Sequence, residues 1–337
     1  MYNMSNKMKK VRILSIDGGG IRGIIPAVVL EYIEKELKRK SGNADAIIQD
    51  YFDMIAGTST GGILTCFYLH PSRLPAGKAI DLYADNGSKI FKPKGAFLNG
   101  LLSLVTSKYP VKGLETALND TFGNYKLSQA SKHSLVTAYD IVNRKSVLFT
   151  VPEAKKNPQQ RDFSLKDIAR ATSAAPTYFE PASIKSMDNK VHNLIDGAMF
   201  ANDPSLCAVV EARKNKYETC DNPTIENIYL VSIGTGKESQ SLNPKKASNW
   251  GIAGWAVPVV DILMTASPEV VSYQLKQLFE VAGCSDCYER LEPELHKASP
   301  EMDDVSKDNI KNLKEAGERY VTQNKVRLDK IVDNLIS

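Results

Sequence analysis

The chain has 337 residues, enough for one large α/β domain or two modest ones with a well-buried core. With 42% hydrophobic and 24% charged residues, the composition excludes a disordered or fibrous protein. The net charge of +4 is mild and the basic residues are spread along the chain, so we do not expect binding to a nucleic-acid polymer. Weak attraction to an anionic membrane surface is compatible with this charge.

Cysteine content and the N-terminal segment indicate the compartment. Five cysteines make a disulfide framework improbable and favour a reducing environment. Cys284 and Cys287 form an isolated CxxC with no histidine close in sequence, so we predict two ordinary thiols and no metal site. The first ten residues lack the apolar core of a signal peptide, and no run reaches the roughly 18 apolar residues of a membrane span. We therefore expect a cytoplasmic protein that is able to associate peripherally with membranes.

Strands alternate with helices along the chain. The apolar run 11–16 predicts a buried parallel strand, and a helix is expected over about 24–40 with Pro26 in its first turn. Further strands are expected at 53–57, in a pair on either side of Asn143 and Arg144, at 191–196 and at 226–236. A helix should begin at Ser164, and a helical tail at Asp303, with Asp303 and Asp304 as its capping residues.

This alternation predicts an α/β fold, a three-layer α/β/α domain around a mostly parallel sheet. No linker divides the chain clearly. We predict a catalytic core over residues 11–235 and a mostly helical extension of the same domain over 236–337.

The segment Gly57-Thr58-Ser59-Thr60-Gly61 joins a predicted strand to a predicted helix. In that context GxSxG predicts a nucleophile elbow, a sharp turn that presents a serine hydroxyl at the rim of a sheet. The flanking Gly57 and Gly61 allow the turn. The new helix directs its free N–H groups towards any negative charge that develops there.

A second glycine-rich turn, DGGGIRG, spans residues 17–23 and also joins a strand to a helix. Its consecutive N–H groups are suited to an oxyanion hole formed by Gly18, Gly19 and Gly20. The alternative is a nucleotide-binding module, because residues 18–23 match GxGxxG. Asp17 would repel a pyrophosphate there, and no acidic strand end follows about twenty residues later, so the oxyanion hole is favoured.

A third candidate, Asp196, begins an Asp-Gly-Ala turn at the end of a predicted strand. Parallel strands place their ligands at their carboxyl ends, which makes a functional carboxylate possible here, although a turn-forming Asp-Gly is on its own the more common outcome. The four histidines do not complete a triad: His70 lies at the far end of the helix after Ser59, and His192 about 13 Å up the strand from Asp196. A serine activated directly by an aspartate fits better.

These segments together resemble the patatin-like phospholipases, a family of lipid acyl hydrolases. The matching segments run in the family's order from residue 12 to about residue 320: ILSIDGGGIRGIIPA, YFDMIAGTSTGG, AAPTYFEP, NLIDGA, LVSIGTG and EMDDVSKDNIKNL. The resemblance implies that Ser59 is the nucleophile, Asp196 the base and the glycine loop the oxyanion hole, with no metal or cofactor. It implies a membrane phospholipid as substrate. Some bacterial members are switched on by cyclic nucleotides in anti-phage defence, which makes such an activator a further expectation.

For three features, the sequence allows two interpretations each. Arg22 either anchors the glycine loop through an ion pair, which we favour, or meets a lipid phosphate. Trp250 and Trp255 flank an apolar segment that either packs in the core or faces a membrane. The apolar stretch 93–109 either forms a movable cover over the serine or packs as an ordinary amphipathic helix.

Overall fold

A mixed sheet of eight strands lies at the centre of the structure, a computed structural model that describes residues 10–92, 106–237 and 243–337. The order across the sheet is β5-β6-β3-β2-β1-β7-β8, and β4 pairs with β3 off this path. The strands are β1 (Val11–Ile16), β2 (Met54–Gly57), β3 (His133–Asp140), β4 (Lys145–Phe149), β5 (Ala182–Lys185), β6 (Val191–Asp196), β7 (Ile228–Ile233) and β8 (Tyr288–Leu291).

The middle of the sheet is parallel. β1 pairs in parallel with β2 and β7, β2 with β3, and β7 with β8. Every residue of β2 and β7 is buried, which explains why these strands read as continuous apolar runs rather than alternating ones. The antiparallel pairs are at the β3 end of the sheet, where β4 and β6 pair with opposite edges of β3 and β5 pairs with β6.

Helices flank this sheet. They are α1 (Ile24–Ser41), α2 (Ile48–Tyr51), α3 (Thr60–Tyr68), α4 (Lys78–Ile90), α5 (Lys112–Phe122), α6 (Val151–Lys156), α7 (Pro158–Arg161), α8 (Leu165–Thr172), α9 (Ala198–Ala201), α10 (Ser205–Ala212), α11 (Pro244–Ala247), α12 (Ile252–Val281), α13 (Lys307–Gln323) and α14 (Lys325–Ile336). The expected fold class, a mostly parallel sheet between layers of helices, is confirmed. None of the helices in the described ranges is both long and apolar enough to cross a bilayer.

The C-terminal part of the chain is integrated into the core. Its strand β8 extends the sheet beside β7, and α13 and α14 pack against α1. The predicted caps of the last helical region are wrong: Ser306 is the N-cap of α13, and its hydroxyl accepts the N–H of Asn309. Asp303 instead accepts the hydroxyl of Tyr109 at 2.7 Å, a contact across 194 residues that local sequence does not reveal.

The unequal lengths of β2 and β3 bring Asp196 to the site. Gly57, the last residue of β2, lies opposite Val136 of β3, but β3 continues to Asp140. β6 pairs only with this overhang and runs antiparallel to it, with Asp196 opposite Ala138. Asp196 therefore lies about 7 Å along β3 from the level of Gly57. The parallel-strand rule that suggested Asp196 does not apply to β6, and the overhang of β3 is the physical reason for its position.

Candidate active site

Ser59 occupies a strained turn between β2 and α3. Its φ of 54° lies in the left-handed region, which a residue with a side chain adopts at a cost. Close packing around the flanking glycines keeps the turn at Ser59 in this conformation. A Cβ on Gly57 would lie 2.0 Å from the carbonyl oxygen of Gly61, and a Cβ on Gly61 would lie 2.1 Å from the carbonyl oxygen of Ile16. The Thr172 hydroxyl accepts the Ser59 N–H at 2.8 Å. This is the geometry expected of a nucleophile elbow.

The carboxyl group of Asp196 is fully buried. Its Oδ1 accepts the N–H of Ala198 at 2.8 Å, whereas Oδ2 has no hydrogen-bond partner among the described residues. Burial raises the pKa of Asp196 to about 7, against the lowering effects of the Ser59 hydroxyl and the Ala198 N–H. A carboxyl group in this state takes up and releases a proton near neutral pH, and the Ser59 hydroxyl is close enough to lower its pKa.

The glycine loop packs directly against the elbow. A Cβ on Gly18 would lie 3.3 Å from the Ser59 Cβ, and one on Gly19 would lie 2.2 Å from the Thr235 hydroxyl. Gly20 has a φ of 58°, and any Cβ there would lie 2.3 Å from the carbonyl oxygen of Met302. The three glycines are therefore required by space as well as by backbone conformation.

One of the three predicted oxyanion donors is already engaged. The Gly18 N–H donates to the carbonyl of Asn202 at 3.1 Å, so in this arrangement it does not point at a substrate. The N–H groups of Gly19 and Gly20 have no hydrogen bond in the described structure. The predicted set of donors is thus reduced to these two, and Gly18 is a residue that fixes the loop.

Arg22 is buried, and its Nε donates to the carbonyl of Gly19 at 3.4 Å. This contact lies within the glycine loop and matches an anchoring role better than a headgroup contact.

The structure also shows a second anchor of the glycine loop, which the sequence did not reveal. Asp17, at the start of the loop, forms a bidentate ion pair with Arg290 of β8, with N–O distances of 2.9 and 2.6 Å. Asp17 is fully buried, and desolvation raises its pKa to about 7 although the Arg290 charge lowers it.

A narrow cavity of about 60 Å³ opens beside Ser59. Its wall is almost entirely apolar, and it includes Ile63, Phe91, Phe179, Met264 and Met302. Such a wall suits a hydrocarbon chain and offers few hydrogen bonds to a polar substrate.

Most of the predicted cover segment, 93–105 out of 93–109, lies outside the described residues. At its described end, the N–H groups of Lys108 and Tyr109 donate to the carbonyls of Thr177 and Tyr178, both at 2.9 Å. Tyr109 is buried, so this end of the segment packs on the core next to the cavity.

The four histidines have partners away from the serine. His70 and His192 pack edge-on against Tyr125 and Phe163. The His133 ring is tilted against Tyr217, and His296 faces Glu294 at 3.6 Å. In the structure as described, no histidine lines the cavity at Ser59. The serine and the aspartate therefore stand together without an imidazole.

The α/β fold with a strained serine next to a buried carboxyl group is typical of one class of protein, the hydrolases. The family model described as patatin-like phospholipase matches residues 14–208. The chain belongs to the patatin-like phospholipase family, whose members are lipid acyl hydrolases.

Plant relatives are similar over most of the chain. Patatin-like protein 2 of Oryza sativa subsp. indica is 36% identical, with 96% of this chain and 86% of the relative covered. Patatin-T5 of Solanum tuberosum is 34% identical, covering 91% and 83%. A probable inactive patatin-3-Kuras 1 of the same species is 35% identical, covering 92% and 86%, so similarity at this level does not by itself establish activity. The solved structure of VipD from Legionella pneumophila aligns with 71% of this chain and 52% of its own at 10% identity and a TM-score of 0.39.

Proposed function

We propose that this protein is a phospholipase A-type lipid acyl hydrolase that uses Ser59 as nucleophile and Asp196 as its base. The observation that carries the proposal is the unpartnered Oδ2 of a buried Asp196 beside a serine held at a φ of 54°. A buried carboxyl oxygen without a hydrogen bond lowers the stability of the folded protein. Such groups are found mainly at functional sites, where the reaction uses them.

The reaction follows from these two groups. The Oγ of Ser59 attacks the ester carbonyl carbon while its proton moves to Asp196. The bond from that carbon to the alcohol oxygen then breaks, and the alcohol leaves with the proton from Asp196. Water attacks the acyl-serine in the same way and releases the fatty acid and the free hydroxyl.

Two features of the surroundings support this chemistry. A carboxylate with an ordinary pKa near 4 is a weak base for a serine, and burial brings the pKa of Asp196 to about 7. The N–H groups of Gly19 and Gly20 are candidates to stabilise the tetrahedral oxyanion, where loss of one donor commonly lowers the rate by about 10²–10³. The apolar cavity next to Ser59 would hold the acyl chain.

The test compares fatty-acid release from mixed phospholipid vesicles by the wild type, Ser59→Ala and Asp196→Ala. Ser173→Ala is the matched control, because Ser173 lines the same cavity and its hydroxyl donates to the Ala169 carbonyl. We expect release by the wild type and the control only. Release by a folded Ser59→Ala protein would refute the proposal.

A gated form of the same activity, as in anti-phage effectors that respond to cyclic nucleotides, would need a second ligand site. A second cavity of about 480 Å³, with a mixed polar and apolar lining, borders the start of the glycine loop. Lys237 and Lys276 line it together with acidic residues and are its candidate cations for a phosphate. Measuring vesicle hydrolysis with and without a panel of cyclic di- and trinucleotides tests this form. A rate that no member of the panel changes would oppose it.

A further inference from the structure

The helix α12 carries an exposed apolar stripe along its outer side. The residues at 255, 259, 262, 266, 270 and 273 recur every three or four positions, so at 100° per residue they lie within about one-quarter of the helix circumference. Their exposure is high for apolar side chains, at 55% for Val270 and 66% for Tyr273. The stripe spans 19 residues, and its two ends are about 27 Å apart.

The opposite side of α12 is part of the active-site wall. Met264 is buried, lines the cavity at Ser59, and its carbonyl accepts the Asn202 side-chain amide at 2.7 Å. The stripe is therefore separated from the cavity by about one helix diameter, roughly 10 Å.

We propose that the outer face of α12 docks on a phospholipid bilayer and brings the Ser59 cavity next to its substrate. This rests on the proposed function, since a lipid substrate has to leave a bilayer close to the serine. α12 is not apolar enough to span a membrane, whereas a helix with one apolar side lies in the interface. Trp255 lies at one end of the stripe and packs edge-on against Trp250, with 5.0 Å between the ring centroids. Tyr273 lies at the other end. Aromatic side chains of this kind favour the membrane interface, so the core interpretation of the tryptophans gives way to the membrane-facing one.

The experiment measures co-flotation with phosphatidylcholine–phosphatidylglycerol vesicles in a Ser59→Ala background, which leaves the lipids intact. Ile262→Asp combined with Val270→Asp should weaken vesicle binding at least about tenfold, because two apolar side chains no longer enter the interface. The matched control is Val142→Asp with Val326→Asp. These two valines lie outside α12 and are 68% and 85% exposed, so their replacement should leave vesicle binding unchanged.

Equal binding of the stripe and control variants would overturn the proposal, as would a parent protein that does not bind vesicles. If the stripe variant instead alters the sedimentation coefficient without lipid, the face belongs to a second copy of the chain. Vesicle binding that follows the stripe while the protein with Ser59 intact releases no fatty acid would defeat the proposed function and leave the docking surface standing.

A separate observation concerns Arg290, which joins the two loops of the site. Besides its bidentate pair with Asp17, its Nη1 lies 3.2 Å from Asp203 Oδ2. Asp17 begins the glycine loop, and Asp203 follows Asn202, whose carbonyl accepts the Gly18 N–H. All of these side chains are buried. One guanidinium thus ties the glycine loop to the segment that begins with Asp196.

We infer that Arg290 is a positioning residue that sets the glycine-loop donors relative to Ser59 and Asp196. This too rests on the proposed function. A planar guanidinium bonds two carboxylates in fixed directions, which a lysine ammonium cannot reproduce. Arg290 lies in the last third of the chain, 82 positions after the end of the family-model match at residue 208.

The readout is the affinity of a trifluoromethyl ketone analogue, which forms a tetrahedral oxyanion on the serine. Arg290→Lys should lower kcat and weaken this inhibitor by similar factors, about tenfold or more, with little change in KM for a short ester. The control is Arg73→Lys, which alters a bidentate pair of the same kind, the two 2.8 Å bonds from Arg73 to Asp50, outside both loops.

A merely structural role for Arg290 would lower the melting temperature and the active fraction while the inhibitor affinity of the surviving enzyme stays at the wild-type value, and that result would overturn the inference. Wild-type protein that forms no adduct at Ser59 would instead defeat the proposed function.

Discussion

The glycine loop borders two cavities of different character. The cavity at Ser59 is narrow and apolar. The second cavity, of about 480 Å³, is lined in part by charged side chains, among them Asp17 and Arg290. Met264 contributes to both walls. In the proposed function, the apolar cavity receives the acyl chain, and the ion pair beside the second cavity holds the glycine loop.

The largest expected effect on activity comes from removing the two reacting groups next to the apolar cavity. Ser59→Ala and Asp196→Ala should each lower kcat for a short ester by at least about 10⁴-fold, and the double variant should be no worse, because the two groups act as a unit. Steady-state kinetics on all three variants checks this. Additive losses would mean that Asp196 does not act through the serine.

The next largest effect should come from the glycine loop. Gly19→Ala places a Cβ 2.2 Å from the Thr235 hydroxyl, so the loop must shift and its N–H groups no longer point towards the oxyanion. We expect kcat to fall by about 10²–10³, the usual result of a lost oxyanion donor, with a smaller change in KM. Thr235→Gly in the same protein should restore part of the loss, because it removes both the hydroxyl at 2.2 Å and the Thr235 Cβ at 2.7 Å. A Gly19→Ala enzyme of wild-type kcat would show that the loop does not contact the oxyanion.

A smaller effect concerns pH. Asp196 acts as a base only when ionised, so kcat/KM should rise with pH to half its plateau near pH 7, the value to which burial raises its pKa. Burial also raises the pKa of Asp17, and Asp17→Asn should keep the midpoint if Asp196 controls it. A pH profile that stays flat between pH 5 and 9 would contradict this assignment.

The same pKa has a consequence for stability. Because the folded state holds the Asp196 proton more tightly than the unfolded state, the free energy of unfolding falls as pH rises from about 4 to about 7. Asp196→Asn should therefore stabilise the protein at pH 8, by at most about 4 kcal/mol for a shift of about three pKa units, and by little at pH 4. Denaturant unfolding at both pH values checks this, and a variant destabilised at pH 8 would oppose it.

The smallest expected effect is that of chelation. No group of metal-ligating side chains is present in the parts of the chain that the structure describes, and the proposed chemistry uses only the two cavities and their own residues. Dialysis against EDTA should leave hydrolysis of a p-nitrophenyl ester unchanged. A loss that calcium or zinc restores would require a metal in the mechanism.

Local signals in the sequence predicted the elements, and long-range contacts decided the rest. The elbow around Ser59 is specified by neighbouring glycines, so motif and context were sufficient. Asp196 was found through a rule for parallel strands, but the overhang of β3 positions it. The Gly18 N–H is engaged by Asn202, and Arg290 pairs with Asp17 across 273 residues. No pattern within either segment indicates these partners.

The most direct test of the central claim is covalent labelling. Wild-type protein treated with a long-chain fluorophosphonate should gain one phosphonyl group, and peptide mass spectrometry should locate it on Ser59. Asp196→Asn should label far more slowly, because no base accepts the Ser59 proton, while Ser173→Ala should label at the wild-type rate. A label on any other residue, or an Asp196→Asn protein that labels as fast as the wild type, would contradict the dyad.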